Sequence, residues 1–302
     1  MADPGVPAPL LRGLYVPVIT PFAVDGTVAL DALERLARDS LAAGAAGIVA
    51  LGTTGESPLL HDDEKRSVID VCARVCEERG AQLIVGAGTS DTAKTIEAVR
   101  ALAGTPALAA TLVVVPYYVR PSQAGIVAHF RAVAEQSPVP VIIYNIPART
   151  GRVLEPAGML ELAASPNIAG VKQAIDSLDT STLEILAGAP ASFSVLGGED
   201  TLLFPLALLG GMGAISASAH VCSERFAAMI ECGLAGKVDE GRRHHEALLP
   251  VVRACFAEPN PAVFKGVLHA QGRIPTPDVR LPLVNASAGA VERALEAIRR
   301  AS

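Results

Sequence analysis

The chain has 302 residues, half of them hydrophobic and 19% charged. That balance fits a folded globular protein and excludes a disordered one. A net charge of −6 without any run of Lys and Arg excludes a nucleic-acid surface, and no apolar stretch is long enough to span a membrane. The opening residues, Met1-Ala-Asp-Pro-Gly-Val-Pro-Ala-Pro, lack the basic and apolar regions of a signal peptide. Residues 1–11 therefore read as a flexible lead, and the location as cytoplasmic.

From there strands and helices alternate. An apolar run at 14–20, closed by Pro21, predicts a strand. Leu30, Leu33, Leu36 and Leu41 share one face of a helix predicted over 30–43. A buried strand at 47–51 leads to a helix at 62–78, whose first-turn acids suit the helix dipole. A strand at 83–87 precedes a helix that Asp91 can cap and that runs to about 103. A strand at 111–115 stops at Pro116, and Ser122 caps a helix to about 135. A strand at 139–144, a helix at 156–163 and an apolar strand from Asn167 into Lys172 follow. A helix at 180–187, a strand at 193–196, a helix at 201–209 and a strand at 213–216 complete the series. Continuous apolar strands suit a parallel sheet buried on both faces. Eight such units predict an α/β fold, a (β/α)8 TIM barrel over 12–235. Residues 236–302 carry no strand signal and predict a C-terminal helical extension.

The five cysteines are odd in number and widely spaced, so no disulfide framework is implied. Cys72 and Cys76 lie four apart on one helix face and read as buried thiols. His244-His245-Glu246 lacks the spacing of a helical metal site, and Gly86-Ala87-Gly88 lacks the third glycine of a dinucleotide loop.

In a barrel of this kind the chemistry gathers at the C-terminal ends of the strands. After the second strand comes Gly52-Thr53-Thr54-Gly55-Glu56-Ser57, where a sharp turn offers hydroxyls and amides that can hold a carboxylate. After the fourth comes Pro116-Tyr117-Tyr118. The fifth ends in Tyr144-Asn145-Ile146-Pro147-Ala148-Arg149-Thr150-Gly151. The sixth ends in Lys172, the seventh runs into Gly197-Gly198-Glu199-Asp200, and the eighth carries Ile215. Desolvation at the end of a buried strand favours a neutral lysine amine, and such an amine attacks a ketone to form a Schiff base. Of the other lysines, Lys65, Lys94 and Lys237 lie in charged or helical contexts, and Lys265 follows Asn-Pro within a helical stretch. Each feature alone has a plain structural reading, such as a snorkelling strand-end lysine. Their convergence on one rim favours a catalytic site.

Four motifs resemble one family closely. They are Gly-Thr-Thr-Gly-Glu-Ser at 52–57, Pro-Tyr-Tyr with Arg-Pro-Ser at 116–122, Tyr-Asn-Ile-Pro-Ala-Arg-Thr-Gly at 144–151, and Gly-Val-Lys at 170–172. Together they resemble the dihydrodipicolinate synthase and N-acetylneuraminate lyase family of Schiff-base barrels, over essentially the whole chain from Arg12. Thr53, where the sialic acid branch usually has Ser, and the Arg149-Thr150 pair, which that branch lacks, place it nearer the synthase branch, although synthases commonly have Glu where this chain has Gln173.

The resemblance implies that Lys172 forms an imine with pyruvate and that Tyr144 is the general acid and base. It implies that Thr53 relays between Tyr144 and Tyr118, the latter serving a neighbouring subunit's site. Thr54 would hold the pyruvate carboxylate, Arg149 the carboxylate of an incoming aldehyde, and Gly198 and Ile215 would line the pocket. Aspartate semialdehyde is the implied second substrate, the implied assembly is a homotetramer built as a dimer of dimers, and no metal or dissociable cofactor is implied. Two alternatives stay open. One is a sibling aldolase acting on another aldehyde or keto sugar acid; the other is a non-catalytic barrel that binds a keto acid. In lysine-inhibited relatives a glutamate after the third strand grips the effector's ammonium. Its position is Lys94 here, with Ser90, Asp62 and Pro58 at neighbouring positions of that site. The resemblance thus implies no feedback by lysine.

Overall fold

The computed structural model describes residues 11–301. Eight strands run β1 (Gly13–Pro17), β2 (Gly47–Ala50), β3 (Gln82–Gly86), β4 (Leu108–Val114), β5 (Val141–Asn145), β6 (Ile168–Gln173), β7 (Ser194–Gly197) and β8 (Gly213–Ile215). Each is parallel to its neighbours in sequence, and β8 pairs with β1 to close the barrel. The outer ring holds α1 (Leu30–Ala42), α2 (Asp62–Arg79), α3 (Thr92–Arg100), α4 (Gln123–Gln136), the single turn α5 (Pro147–Thr150), α6 (Pro156–Ala163), α7 (Thr180–Gly188), α8 (Leu203–Leu208) and α9 (Ser223–Leu234). Three further helices, α10 (Val238–Cys255), α11 (Ala262–Ala270) and α12 (Ala288–Ala301), form the extension. The fold is the (β/α)8 barrel with C-terminal helices that the alternation predicts.

Side chains alternate across each strand, so every strand buries two faces. Tyr15, Val49, Ile84, Leu112, Ile142, Leu196 and Ile215 fill the interior. Ile48, Ala50, Leu83 and Val85 face outward against Leu33, Val68 and Phe226 of the surrounding helices. This double burial is why the strands read as unbroken apolar runs. Of the lead anticipated at 1–11, residues 1–10 lie outside the described residues. Leu11 is fully buried with the interior cluster, and its amide donates to Ser194 Oγ at 3.1 Å.

The anticipated caps form. Asp91 accepts from the Lys94 amide at 3.0 Å, and Ser122 from the Gly125 amide at 3.2 Å. Several boundaries move. β1 stops at Pro17, short of 20, because the chain then turns to other partners: the Ile19 amide donates to His220 Nε2 at 3.1 Å. β4 begins at Leu108, ahead of 111, because a register shift against β3 extends their pairing backward. The turns at Thr53–Gly55 and Ser57–Leu59, like α5, are too short to leave a periodic signal. In the extension Val251, Val263, Phe264, Val267, Ala290 and Ala294 pack together beneath Ala217 of the barrel rim. Among the described residues no helix is long and apolar enough to cross a membrane.

Candidate active site

The pairing of β5 with β6 sets Tyr144 beside Lys172. Partners in parallel strands point to the same face, so both side chains enter the barrel near its C-terminal rim. Lys172 is 7% exposed, and its Nζ lies 4.2 Å from the centre of the Tyr144 ring. The lysine terminus thus lies over the face of the Tyr144 ring, and the two functional groups meet at one point of the rim. Above them opens a cavity of about 660 Å³.

Lys172, Tyr144, Thr53, Thr54, Gly198 and Ile215 all line this cavity, with the exposed Arg149 reaching it from α5. Seven of the eight residues singled out by sequence thus share one space. The eighth, Tyr118, does not line it. Tyr118 is 90% exposed and has a φ of 68°, in the left-handed region that a tyrosine rarely adopts.

Local geometry explains several of these placements. A Cβ on Gly198 would come 2.9 Å from both Cγ and Cε of Lys172, so the lysine stem lies where only glycine leaves room. Thr54 is buried, and its Oγ1 accepts from Asn260 Nδ2 at 3.0 Å. Gln173 does not line the cavity. Its Oε1 accepts from Asn145 Nδ2 at 3.0 Å, and its Nε2 donates to Thr182 Oγ1 at 3.2 Å. A neutral side chain suits a buried chain of neutral partners.

Among the lining residues that carry no role in the sequence reading are Asp200, Phe256 and Asn260. Asp200 is buried, and burial pushes its carboxyl above the ordinary range while the Ser218 amide donates to it at 2.7 Å. Phe256 and Asn260 come from the extension, more than a hundred residues beyond Thr54. The Asn260-Pro261 pair is a legible turn signal, but a turn signal does not announce a site.

The cysteines Cys72 and Cys76 are free and buried, and burial pushes both thiols up, Cys76 to about 11. No metal spacing is legible among the cysteines and histidines. The fold nevertheless brings ligand atoms of Cys232, Glu240 and His244 within 4.8 Å of one another on α9 and α10. Lys237 lies 3.9 Å from Glu240, and the charge of Arg225 bears on His244, so positive charge already surrounds that cluster.

A closed (β/α)8 barrel with an amine and a phenol meeting at its C-terminal rim defines the class of Schiff-base-forming lyases and synthases. The family model described as the dihydrodipicolinate synthetase family matches residues 10–301, and the chain belongs to that family. The 4-hydroxy-tetrahydrodipicolinate synthase of Moorella thermoacetica is 42% identical over 282 residues, 93% of this chain and 95% of that protein. The dihydrodipicolinate synthase structure from Thermotoga maritima superposes with a TM-score of 0.93 at 32% identity, covering 97% of this chain and 99% of that one. The chloride-inhibited synthase of Acinetobacter baumannii, solved in complex with pyruvate, gives a TM-score of 0.92 at 32% identity over 96% and 98% of the two chains.

Proposed function

We propose that this protein condenses pyruvate with aspartate semialdehyde through an imine on Lys172, the activity of a 4-hydroxy-tetrahydrodipicolinate synthase in lysine biosynthesis. The observation that carries the reading is the register of β5 and β6, which sets Tyr144 against Lys172 on the cavity floor. The same cavity is lined by Thr53 and Thr54 of the turn after β2, which supports a keto acid bound beside Lys172.

The chemistry runs from the amine. Lys172 adds to the pyruvate ketone, and loss of water gives the iminium. The iminium withdraws electrons, so a proton leaves the pyruvate methyl and an enamine forms. The enamine carbon then attacks the aldehyde. Tyr144 carries protons in these steps, with Thr53 in the relay that lets a phenol act near neutral pH. Thr54 and its neighbouring amides hold the pyruvate carboxylate, Gly198 and Ile215 shape the floor, and Arg149 meets the carboxylate of the second substrate. The iminium is itself the electron sink, so the scheme calls on no metal or dissociable cofactor.

Tyr118 acts in the site of a neighbouring copy in this reading. Its exposure and its absence from its own cavity support that role. That role requires at least a dimer, and the family resemblance extends the proposal to a homotetramer, a dimer of dimers, whose subunits comprise a barrel over 12–235 and a helical domain over 236–302. The cytoplasm is the proposed location.

Borohydride reduction in the presence of pyruvate tests the reading. It should inactivate the protein and add the reduced pyruvate mass to the peptide carrying Lys172. A label on Lys265, or no label, would sink the assignment. A coupled assay with aspartate semialdehyde then fixes the second substrate. Turnover only with another aldehyde would make the protein a sibling aldolase of the family.

A further inference from the structure

The turn that carries Thr53 and Thr54 is held from outside the barrel. Glu56 ends it with a φ of 54°, and the Glu56 side chain is fully buried. Lys265, on α11, is fully buried as well, with its Nζ 2.5 Å from Glu56 Oε1. The same ammonium donates to the Asp278 carbonyl at 2.8 Å and sits 4.0 Å from the centre of the Phe22 ring. The second Glu56 oxygen accepts from the Arg280 amide at 2.9 Å. Ahead of α11, Asn260 donates to Thr54 Oγ1. The extension therefore grips the turn at Thr54 and again at Glu56.

Taking two charges out of water costs more than most ion pairs return, and a well-packed apolar pair would stabilise such a place at least as well. What an ion pair adds here is a fixed distance and direction between α11 and the turn. We propose that Glu56 and Lys265 are positioning residues whose buried pair sets the pose of the Thr53–Thr54 turn and thereby the affinity for the keto-acid carboxylate. This inference rests on the Schiff-base reading above.

The pair brings a pH dependence. Burial lowers Lys265 to about 8, against the opposing pull of Glu56. The groups that face it are Glu56 from the turn, Asp278 and Arg280 from the segment after α11, and the uncharged Phe22 ring. Arg280 is itself held by Glu64 of α2 at 2.5 Å. As the pH rises through about 8, Lys265 loses its proton and its hold on Glu56 weakens. The pyruvate KM should climb over that range.

The test compares Glu56→Gln, Lys265→Met and the double variant with the wild type. Each is read by pyruvate KM, kcat, Tm and hydrogen exchange at the amides of 53–57. Each single variant should raise the pyruvate KM on the order of tenfold, change kcat less, and speed exchange in the turn. The double variant leaves no unpaired charge, so it should recover Tm without recovering KM. The KM of the wild type should rise above pH 8, and that of the double variant should not. If Lys265→Met fails to fold, Glu56→Gln and the double variant carry the same comparison. Folded variants with wild-type KM and exchange would overturn the inference, as would a double variant whose KM recovers together with its Tm. Failure of wild-type trapping at Lys172 would remove the Schiff-base reading and this inference with it. Intact trapping with unmoved KM in the variants removes this inference alone.

Discussion

Lys172 and Lys265 are both buried, and they differ in what faces the ammonium. Lys172 stands on β6 at the floor of a cavity, with its Nζ over the Tyr144 ring. Lys265 stands on α11 behind the rim, clamped to Glu56 and to the Asp278 carbonyl. A nucleophile must reach open space and release its proton, and a carboxylate held at ion-pair distance opposes that release. A lysine with no cavity in front of it must instead be paired, because an unpaired buried charge is costly. Burial alone therefore does not mark a catalytic lysine. Its neighbours do, and the two lysines offer a built-in contrast between a reacting amine and a holding one.

The contrast breaks most sharply at Lys172. Lys172→Ala should lower turnover by about 10⁴-fold or more, leaving the melting temperature near that of the wild type. A large loss of stability instead would mean that Lys172 holds the fold as Lys265 does. Tyr144→Phe should come next, lowering kcat by roughly 10²–10⁴-fold while the pyruvate KM moves little, since a proton carrier acts in the transition state. Equal changes in both constants would assign Tyr144 to binding. Arg149→Ala should weaken the second substrate by about ten- to a hundredfold and leave pyruvate untouched. An unchanged apparent affinity for the aldehyde would end the carboxylate-holding role.

On the extension side the effect is thermodynamic and smaller. The Arg280 side chain holds the Glu64 carboxyl down to about 2. A carboxyl depressed in the folded state contributes stability that is present above about pH 4.5 and lost as the pH falls toward about 2. Arg280→Ala should therefore cost about 1–2 kcal/mol at neutral pH, with the gap closing in acid, read from urea midpoints across that range. A gap that persists unchanged at pH 2 would assign the loss to packing. The smallest expected effect is none at all. Lys94 is exposed at the start of α3, at the position where the family resemblance implies an acid in lysine-inhibited relatives. A cation facing the effector's ammonium costs on the order of 1 kcal/mol before the lost attraction is counted. Millimolar lysine should leave the coupled assay unchanged, and inhibition mapped to Lys94 would overturn that reading.

The barrel was legible because its strands are buried on both faces and its helices carry one apolar stripe each, and both are local patterns. The rim residues were legible because each falls at the end of a predicted strand, where the fold rule points. Tyr144 and Lys172 are 28 positions apart, yet the strand register alone brings them together. Asp200 lies in the loop after β7 that the sequence already points to, whereas Phe256 and Asn260 reach the site through the extension. Asn260 and Phe256 meet the cavity only once α10 and α11 have packed beneath the rim, and no periodicity encodes that docking. Lys265 reads as an ordinary helical lysine for the same reason, since its partner Glu56 lies over two hundred residues earlier in the chain.

Leu11 closes the far end of the barrel, fully buried among the interior side chains beside Tyr15. With that end filled, the cavity above Lys172 is reached from the opposite, C-terminal side of the barrel. On the proposed reading, pyruvate binds at the floor beside Lys172 and the aldehyde nearer Arg149, so pyruvate should add first. An aldehyde seated near Arg149 ahead of pyruvate would stand in its path. If that order holds, initial rates at low pyruvate should fall as the aldehyde is raised to excess, and should recover when pyruvate is raised.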